Sequence, residues 1–280
     1  MKKFNGKAIY NPAGKAGEYS YWACNFHTGC SNGCTYCYLG KGLLAHAMGG
    51  NVPVLKKCFK DETDALVTFE KELMANLTEL KEHGLFFTFT TDPMLESISH
   101  IYWAAIMKCN ENGVPVKVLT KCAGWVKDTL DWLDRSNSDN ADREWRKTIA
   151  FGFTLTGHDE LEPNASTNAE RIEGMRLLRA AGFKTFASIE PVIDFNSSRK
   201  MIEETLPFCD LYKIGLESGK KYPIKNIHLF LHQVSIMTRA WKNKIYFKDG
   251  LIAQAKTNRA NLPDNCVTRD YNLFTKNQEN

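Results

Sequence analysis

The sequence predicts an α/β protein, a partial parallel (β/α) barrel of about six strands with a C-terminal extension. Two observations lead there. Strand-like apolar segments and amphipathic helical segments alternate six or seven times along 280 residues, the pattern of right-handed βαβ units around a parallel sheet. The length suits one barrel with extensions, and no internal repeat or linker divides the chain.

The elements follow in order. Residues 1–18 are rich in Gly, Lys and Asn and read as an irregular lead-in. Tyr19 to Phe26 is aromatic-rich and strand-like, and the Gly-bearing loop HTGCSNGCTYCYLGKG follows it. Asp61 to His83 places Leu66, Phe69, Leu73, Leu77 and Leu80 at helical spacing, and Gly84 ends that helix. Leu85–Thr91 is a buried strand, Ser97–Asn112 a helix stopped at Gly113, Val114–Thr120 a strand and Lys127–Leu133 a short helix. Arg135 to Lys147 is a polar insertion. Thr148–Thr156, Phe183–Glu190, Leu211–Leu216 and Lys244–Phe247 read as strands. Thr167–Ala181, Ser197–Leu206 and Asn226–Trp241 are the helices between them. The barrel is thus expected over 19–248 and the extension over 249–280.

Hydrophobic residues are 43% and charged residues 24% of the chain, which excludes a wholly disordered protein or a coiled coil. No apolar run approaches the ~20 residues of a membrane span. The start has a basic tip without an apolar stretch behind it, so a cytoplasmic protein is expected. Net charge is +4, unevenly spread. Ser218 to Asn280 holds eleven Lys or Arg against four Asp or Glu, a net +7 that would favour an anionic partner or form a solvated surface.

Nine cysteines, an odd number without a secretory segment, point to reduced thiols rather than a disulfide framework. Most are expected to be core residues. Cys30, Cys34 and Cys37 differ, because three thiols on a short Gly-containing loop can wrap one iron–sulfur cluster. Three ligands leave one iron of a 4Fe–4S cube open to substrate or cofactor. Zinc, with Cys24 or His27 as fourth ligand, is the competing reading, but no second Cys-x-x-Cys pair is present.

The loop CSNGCTYCY resembles the CxxxCx(aromatic)C loop of radical S-adenosylmethionine enzymes, with Tyr36 at the aromatic position. TTDPMLE, VLTKC, GFTLTG, NAERIEGMRLLRAAG, FASIEP and YKIGLESG then follow in strand order, with a weaker echo at YFKDG. Together they are similar to the branch containing spore photoproduct lyase and to a phage-associated group of radical-SAM-like proteins. The resemblance runs from about Tyr21 to Gly219. It implies a 4Fe–4S cluster on Cys30, Cys34 and Cys37 whose open iron chelates S-adenosylmethionine. It also implies reductive cleavage to a 5′-deoxyadenosyl radical and an external one-electron reductant.

Within that resemblance the strand ends supply the remaining candidates. The GGE of many superfamily members is missing, so Thr91 and Asp92 would have to accept the amino group of S-adenosylmethionine; Asp92 could otherwise be a turn residue before Pro93. Lys121 and Arg171 could pair the carboxylate, and Thr154 and Thr156 could reach the ribose. Glu190 and Glu217 could bind cofactor or substrate. Cys122 could donate a hydrogen atom to a product radical, or be a buried free cysteine. Cys58, Cys109, Cys209 and Cys266 are read as ordinary core cysteines. Among substrates, nucleic acid is slightly favoured over peptide or small molecule. The alternatives are a zinc-stabilised non-enzymatic nucleic-acid-binding protein and a degenerate cluster-binding member without cleavage activity.

Overall fold

The computed structural model describes residues 3–136 and 144–274. The expected insertion at Arg135–Lys147 therefore falls partly outside the described residues, and its end is a 3-10 turn, Trp145–Thr148. The chain runs β1 (Ile9–Tyr10), α1 (Gly14–Gly17), β2 (Ala23–Cys24), β3 (His27–Thr28), α2 (Gly42–Met48), β4 (Val54–Leu55), α3 (Glu62–Ala75), α4 (Leu77–His83) and β5 (Leu85–Phe87). It continues through α5 (Ser99–Glu111), β6 (Val116–Thr120), α6 (Trp125–Ser136), β7 (Ile149–Thr154), α7 (Asn168–Ala180), β8 (Lys184–Val192) and α8 (Phe195–Thr205). Last come β9 (Leu211–Leu216), α9 (Ile224–Ala240), β10 (Lys244–Phe247) and α10 (Asp249–Ala255).

One eight-stranded sheet has the order β1-β2-β5-β6-β7-β8-β9-β10. From β2 to β10 every pairing is parallel. Strand β1 pairs antiparallel on the outer side of β2. The expected partial barrel is thus present, with one antiparallel strand added at its edge. The helices that cover it begin at recognisable caps. Asp61 accepts from Asp64 N at α3, Thr167 and Glu170 form a capping box at α7, and Asp194 accepts from Asn196 N and Ser197 N at α8.

Several expectations change. The single helix over Asp61–His83 breaks at Asn76, whose side-chain amide donates to the Glu72 carbonyl and competes with the helical ladder. The long first strand contracts to Ala23–Cys24. The lead-in is not wholly irregular: the Glu72 carboxylate accepts from the backbone N–H of Lys7, Ala8 and Ile9 at 2.6, 3.0 and 2.7 Å, which docks β1. The extension is partly built into the body, since Val267 N donates to Ile245 O at 2.7 Å and Leu273 is buried.

Side chains two apart on a strand share a face. Register therefore lines Phe86, Lys117 and Ala150 along one row of the concave face, and Ser188, Lys213 and Tyr246 along another. Tyr19, Phe86, Ala150, Phe186, Leu211 and Leu273 form an apolar cluster there, apart from the larger core beneath the helices. Across this hollow runs the segment before β2. Lys213 Nζ donates to the carbonyls of Glu18 (2.7 Å) and Tyr19 (3.2 Å). The Tyr246 hydroxyl and Asp249 N donate to Glu18 Oε1 at 2.9 and 2.7 Å. Among the described residues no helix is long and apolar enough to cross a membrane.

Candidate active site

The cysteine loop lies between β3 and β4, against the C-terminal ends of the parallel strands. Its backbone is pinned on two sides. Gly29 N donates to Met48 O and Cys30 N to Gly50 O, both at 3.0 Å, while Thr35 N donates to Leu161 O at 3.0 Å. The Asn164 side-chain amide donates to Ser31 O at 2.9 Å. Gly29 has φ +81°, and a Cβ there would stand 2.3 Å from Val52 O, so the loop closes only with glycine.

Cys30, Cys34 and Cys37 are free and half-buried. Burial pushes the Cys30 thiol up to about 11, with the Asp92 carboxylate adding to it and Lys121 opposing. Burial raises the Cys34 thiol as well, and Lys121 again opposes. Among the described residues no three His, Cys, Asp or Glu side chains are grouped to hold a metal ion. A cube offers each thiolate a separate iron, so its ligands surround it rather than meet at one point.

Lys121 is the cation of this site. Its ammonium stands over the Tyr36 ring, 5.5 Å from the centroid, and makes no hydrogen bond or ion pair among the described residues. Burial disfavours its charge, but Cys34, Glu162 and Asp92 more than offset that and raise its pKa. Thr91 is buried, and its hydroxyl has no partner among the described residues. The Lys121 ammonium, close enough to act on Cys30 and Cys34 and without a hydrogen bond or ion pair among the described residues, fits an anionic ligand held at this loop.

Asp92 is differently placed. Its Oδ1 accepts from Thr120 Oγ1 (2.6 Å) and Met94 N (3.0 Å), and its Oδ2 from Asn32 Nδ2 (2.9 Å) and Lys121 N (2.7 Å). Four donors fill the acceptor positions of the carboxylate. Asp92 therefore ties the cysteine loop, through Asn32, to the ends of β5 and β6. Arg171, also expected at the cofactor, is fully buried and donates to Ser166 O (2.7 Å), Thr154 O (2.6 Å) and Glu162 Oε2 (2.5 Å). The Tyr36 hydroxyl donates to the other oxygen of Glu162. Thr156 is buried, with its hydroxyl 3.4 Å from Glu162 Oε2. Thr154 pairs in register with Ser188 at the strand ends.

Cys122 lies near Cys30 and Asp92. Burial raises its thiol far above the usual range, and its Sγ is 3.7 Å from Asn32 Oδ1. Glu190 takes Lys248 Nζ on both oxygens, at 3.0 and 2.8 Å, and the Tyr19 hydroxyl at 2.7 Å. Gly215 permits this, since a Cβ there would stand 2.8 Å from Glu190 Oε1. Glu217 lies at the same mouth, 3.6 Å from Lys220 Nζ. Of the remaining cysteines, Cys109 and Cys209 are buried as expected. Cys58 is exposed and Cys266 half-buried, so the core expectation fails for Cys58.

Sequence reasoning missed Glu162, Asn32 and Lys248. Lys248 carries a signal, the KDG that follows the last strand. Glu162 and Asn32 sit in loops where no period marks a buried polar residue.

The parallel partial barrel with the three-cysteine loop at its strand ends has a fold found in a protein solved with AdoMet bound. The particular likeness is to spore photoproduct lyase. A form with bound AdoMet and dinucleoside spore photoproduct matches at 17% identity over 79% of this chain and 62% of that one, TM-score 0.52. A cysteine-to-serine variant of the lyase matches at 13% identity over 94% of this chain and 65% of that one, TM-score 0.51. The chain thus spans less than two thirds of the length of these structures, and at such identities the likeness establishes the fold. No protein-family model and no curated protein matches the sequence.

Proposed function

We propose that the chain is a radical S-adenosylmethionine enzyme in which Cys30, Cys34 and Cys37 hold a 4Fe–4S cluster with one open iron. The observation that carries this is three free thiols on one pinned loop, with the Lys121 ammonium acting on Cys30 and Cys34 and making no hydrogen bond or ion pair among the described residues. When bound and reduced from outside, the cluster supplies the electron that splits the sulfonium of S-adenosylmethionine into methionine and a 5′-deoxyadenosyl radical. The chain's own residues bind and orient. Lys121 pairs the methionine carboxylate and Thr91 offers its hydroxyl to the same end of the ligand. Asp92 holds Asn32 and the backbone of Lys121 in register with the cysteines. Glu162 and Arg171 hold Tyr36, and with it the cysteine loop, in place. Burial keeps the Cys122 thiol protonated, the form that can give up a hydrogen atom.

For the substrate, nucleic acid is the reading we favour. The net +7 over Ser218–Asn280 supports it, as does the dinucleoside bound by a protein of the same fold.

The test is an anaerobic preparation read by iron analysis and electron paramagnetic resonance. S-adenosylmethionine should shift the signal of the reduced cluster and yield 5′-deoxyadenosine. A fully loaded cluster indifferent to S-adenosylmethionine would sink the proposal.

A further inference from the structure

The end of the barrel opposite the cysteines holds a second constellation. The first residues of β8 and β10 and the turns before β9 and β10 line a cavity of about 730 Å3. That volume is in the range of small-molecule sites. Lys184 shares a strand face with Phe186, and Lys244 with Tyr246, so both belong to the inner face at its N-terminal rim. Leu273, a member of the apolar cluster inside the barrel, also lines the cavity.

The charge here is one-sided. Arg179 is paired with Asp210, Nη1 to Oδ1 at 2.9 Å. Lys184, Lys242 and Lys244 also line the cavity, and their ammonium groups have no hydrogen bond or ion pair among the described residues. Two further groups are unspent. Trp241 lines the cavity yet is 54% exposed. Asn243 is 6% exposed, and its amide nitrogen donates to Leu206 O (3.0 Å) and Cys209 O (2.6 Å). That orients its Oδ1, which is buried without a partner among the described residues. A buried acceptor left unpaired is costly unless a ligand supplies the donor.

We propose that this cavity binds a nucleotide unit. Its phosphate lies among Lys184, Lys242 and Lys244, its base stacks on Trp241, and a base N–H donates to Asn243 Oδ1. The unit is either a free mononucleotide or one residue of a single strand, and the two share this chemistry. The site is independent of the cluster end, where chemistry in such barrels is placed.

The experiment titrates the full chain with nucleoside 5′-monophosphates, with a short single-stranded oligodeoxynucleotide and with inorganic phosphate, read by tryptophan fluorescence and calorimetry. Quenching by one of the nucleotide probes is expected, weakening as salt rises. The tighter probe identifies the source. Affinity should fall about tenfold or more in the Lys184→Gln/Lys244→Gln variant. Trp241→Leu should abolish the quenching and weaken the heat signal, while iron content stays unchanged in both variants. The proposal is overturned if neither nucleotide probe binds, if inorganic phosphate binds as tightly as the nucleotides, or if both variants bind like the parent.

Discussion

Arg171 and Glu162 form an ion pair sealed inside the protein, Nη2 to Oε2 at 2.5 Å, with neither side chain exposed. Removing one partner strands the other charge in a medium that cannot solvate it. Glu162→Leu should cost about 3–5 kcal/mol in urea unfolding. Replacing both with Leu should recover much of that loss. Single variants as mild as a surface change would contradict the buried pair.

Cys30→Ala, Cys34→Ala and Cys37→Ala should each lose most of the iron of the anaerobic protein, because each removes a ligand rather than a packing atom. Cys58→Ala and Cys266→Ala should retain it. Iron and sulfide analysis distinguishes the two groups. Equal iron in all five would end the cluster assignment.

Lys121→Met and Asp92→Ala should separate. The first removes an ammonium that makes no hydrogen bond or ion pair among the described residues, so the cluster should load normally while S-adenosylmethionine binds about tenfold more weakly or worse. The second breaks four hydrogen bonds, one from Asn32 of the cysteine loop, two from Thr120 and Lys121 at the end of β6 and one from Met94 N. It should lower the melting temperature and the cluster loading together. Unchanged cofactor affinity in Lys121→Met would remove that residue from the site.

How far the sequence was legible follows from the range of the interactions. Leu211–Leu216 and Lys244–Phe247 were read to the residue, because a run of apolar residues between turn signals is local information. The cysteine loop was legible for the same reason. Strand β1 was not, since what docks it is Glu72, more than sixty residues away. Arg171 reads in sequence as a carboxylate ligand, and only the fold shows three donors consumed inside the protein. Lys248 was a faint echo until β8 brought Glu190 to it.

Gly29→Ala should impair the loop. The residue would adopt a left-handed backbone at about 1–2 kcal/mol and set a methyl carbon 2.3 Å from Val52 O. Lower cluster incorporation is expected, with intact secondary structure by circular dichroism. Full incorporation would show that the loop tolerates a wider path.

Lys117 faces the inside of the barrel, and burial lowers its pKa to about 8 from 10.5. Between those values the unfolded chain holds a proton that the folded one has released, so stability should rise with pH across pH 8 to 10.5. Burial, with Lys117 and Lys248 nearby, lowers Lys213 in the same sense. Lys117→Met should flatten that rise and add about 1–3 kcal/mol at neutral pH. Chemical denaturation over that range reads both effects, and an unaltered pH slope would refute the assignment.

Glu18 meets Tyr246 and Asp249, 228 and 231 positions further along the chain, so the segment before β2 is fastened by the last strand among the described residues and the helix that follows it. On a ribosome the segment ahead of β2 must wait, its partners unmade, until most of the sheet has emerged. Contacts of such separation slow folding and leave the concave face uncovered in the meantime. A nascent chain released before β10 would present Tyr19, Phe86 and Phe186 to water, the kind of exposed apolar surface that chaperones hold and proteases clear.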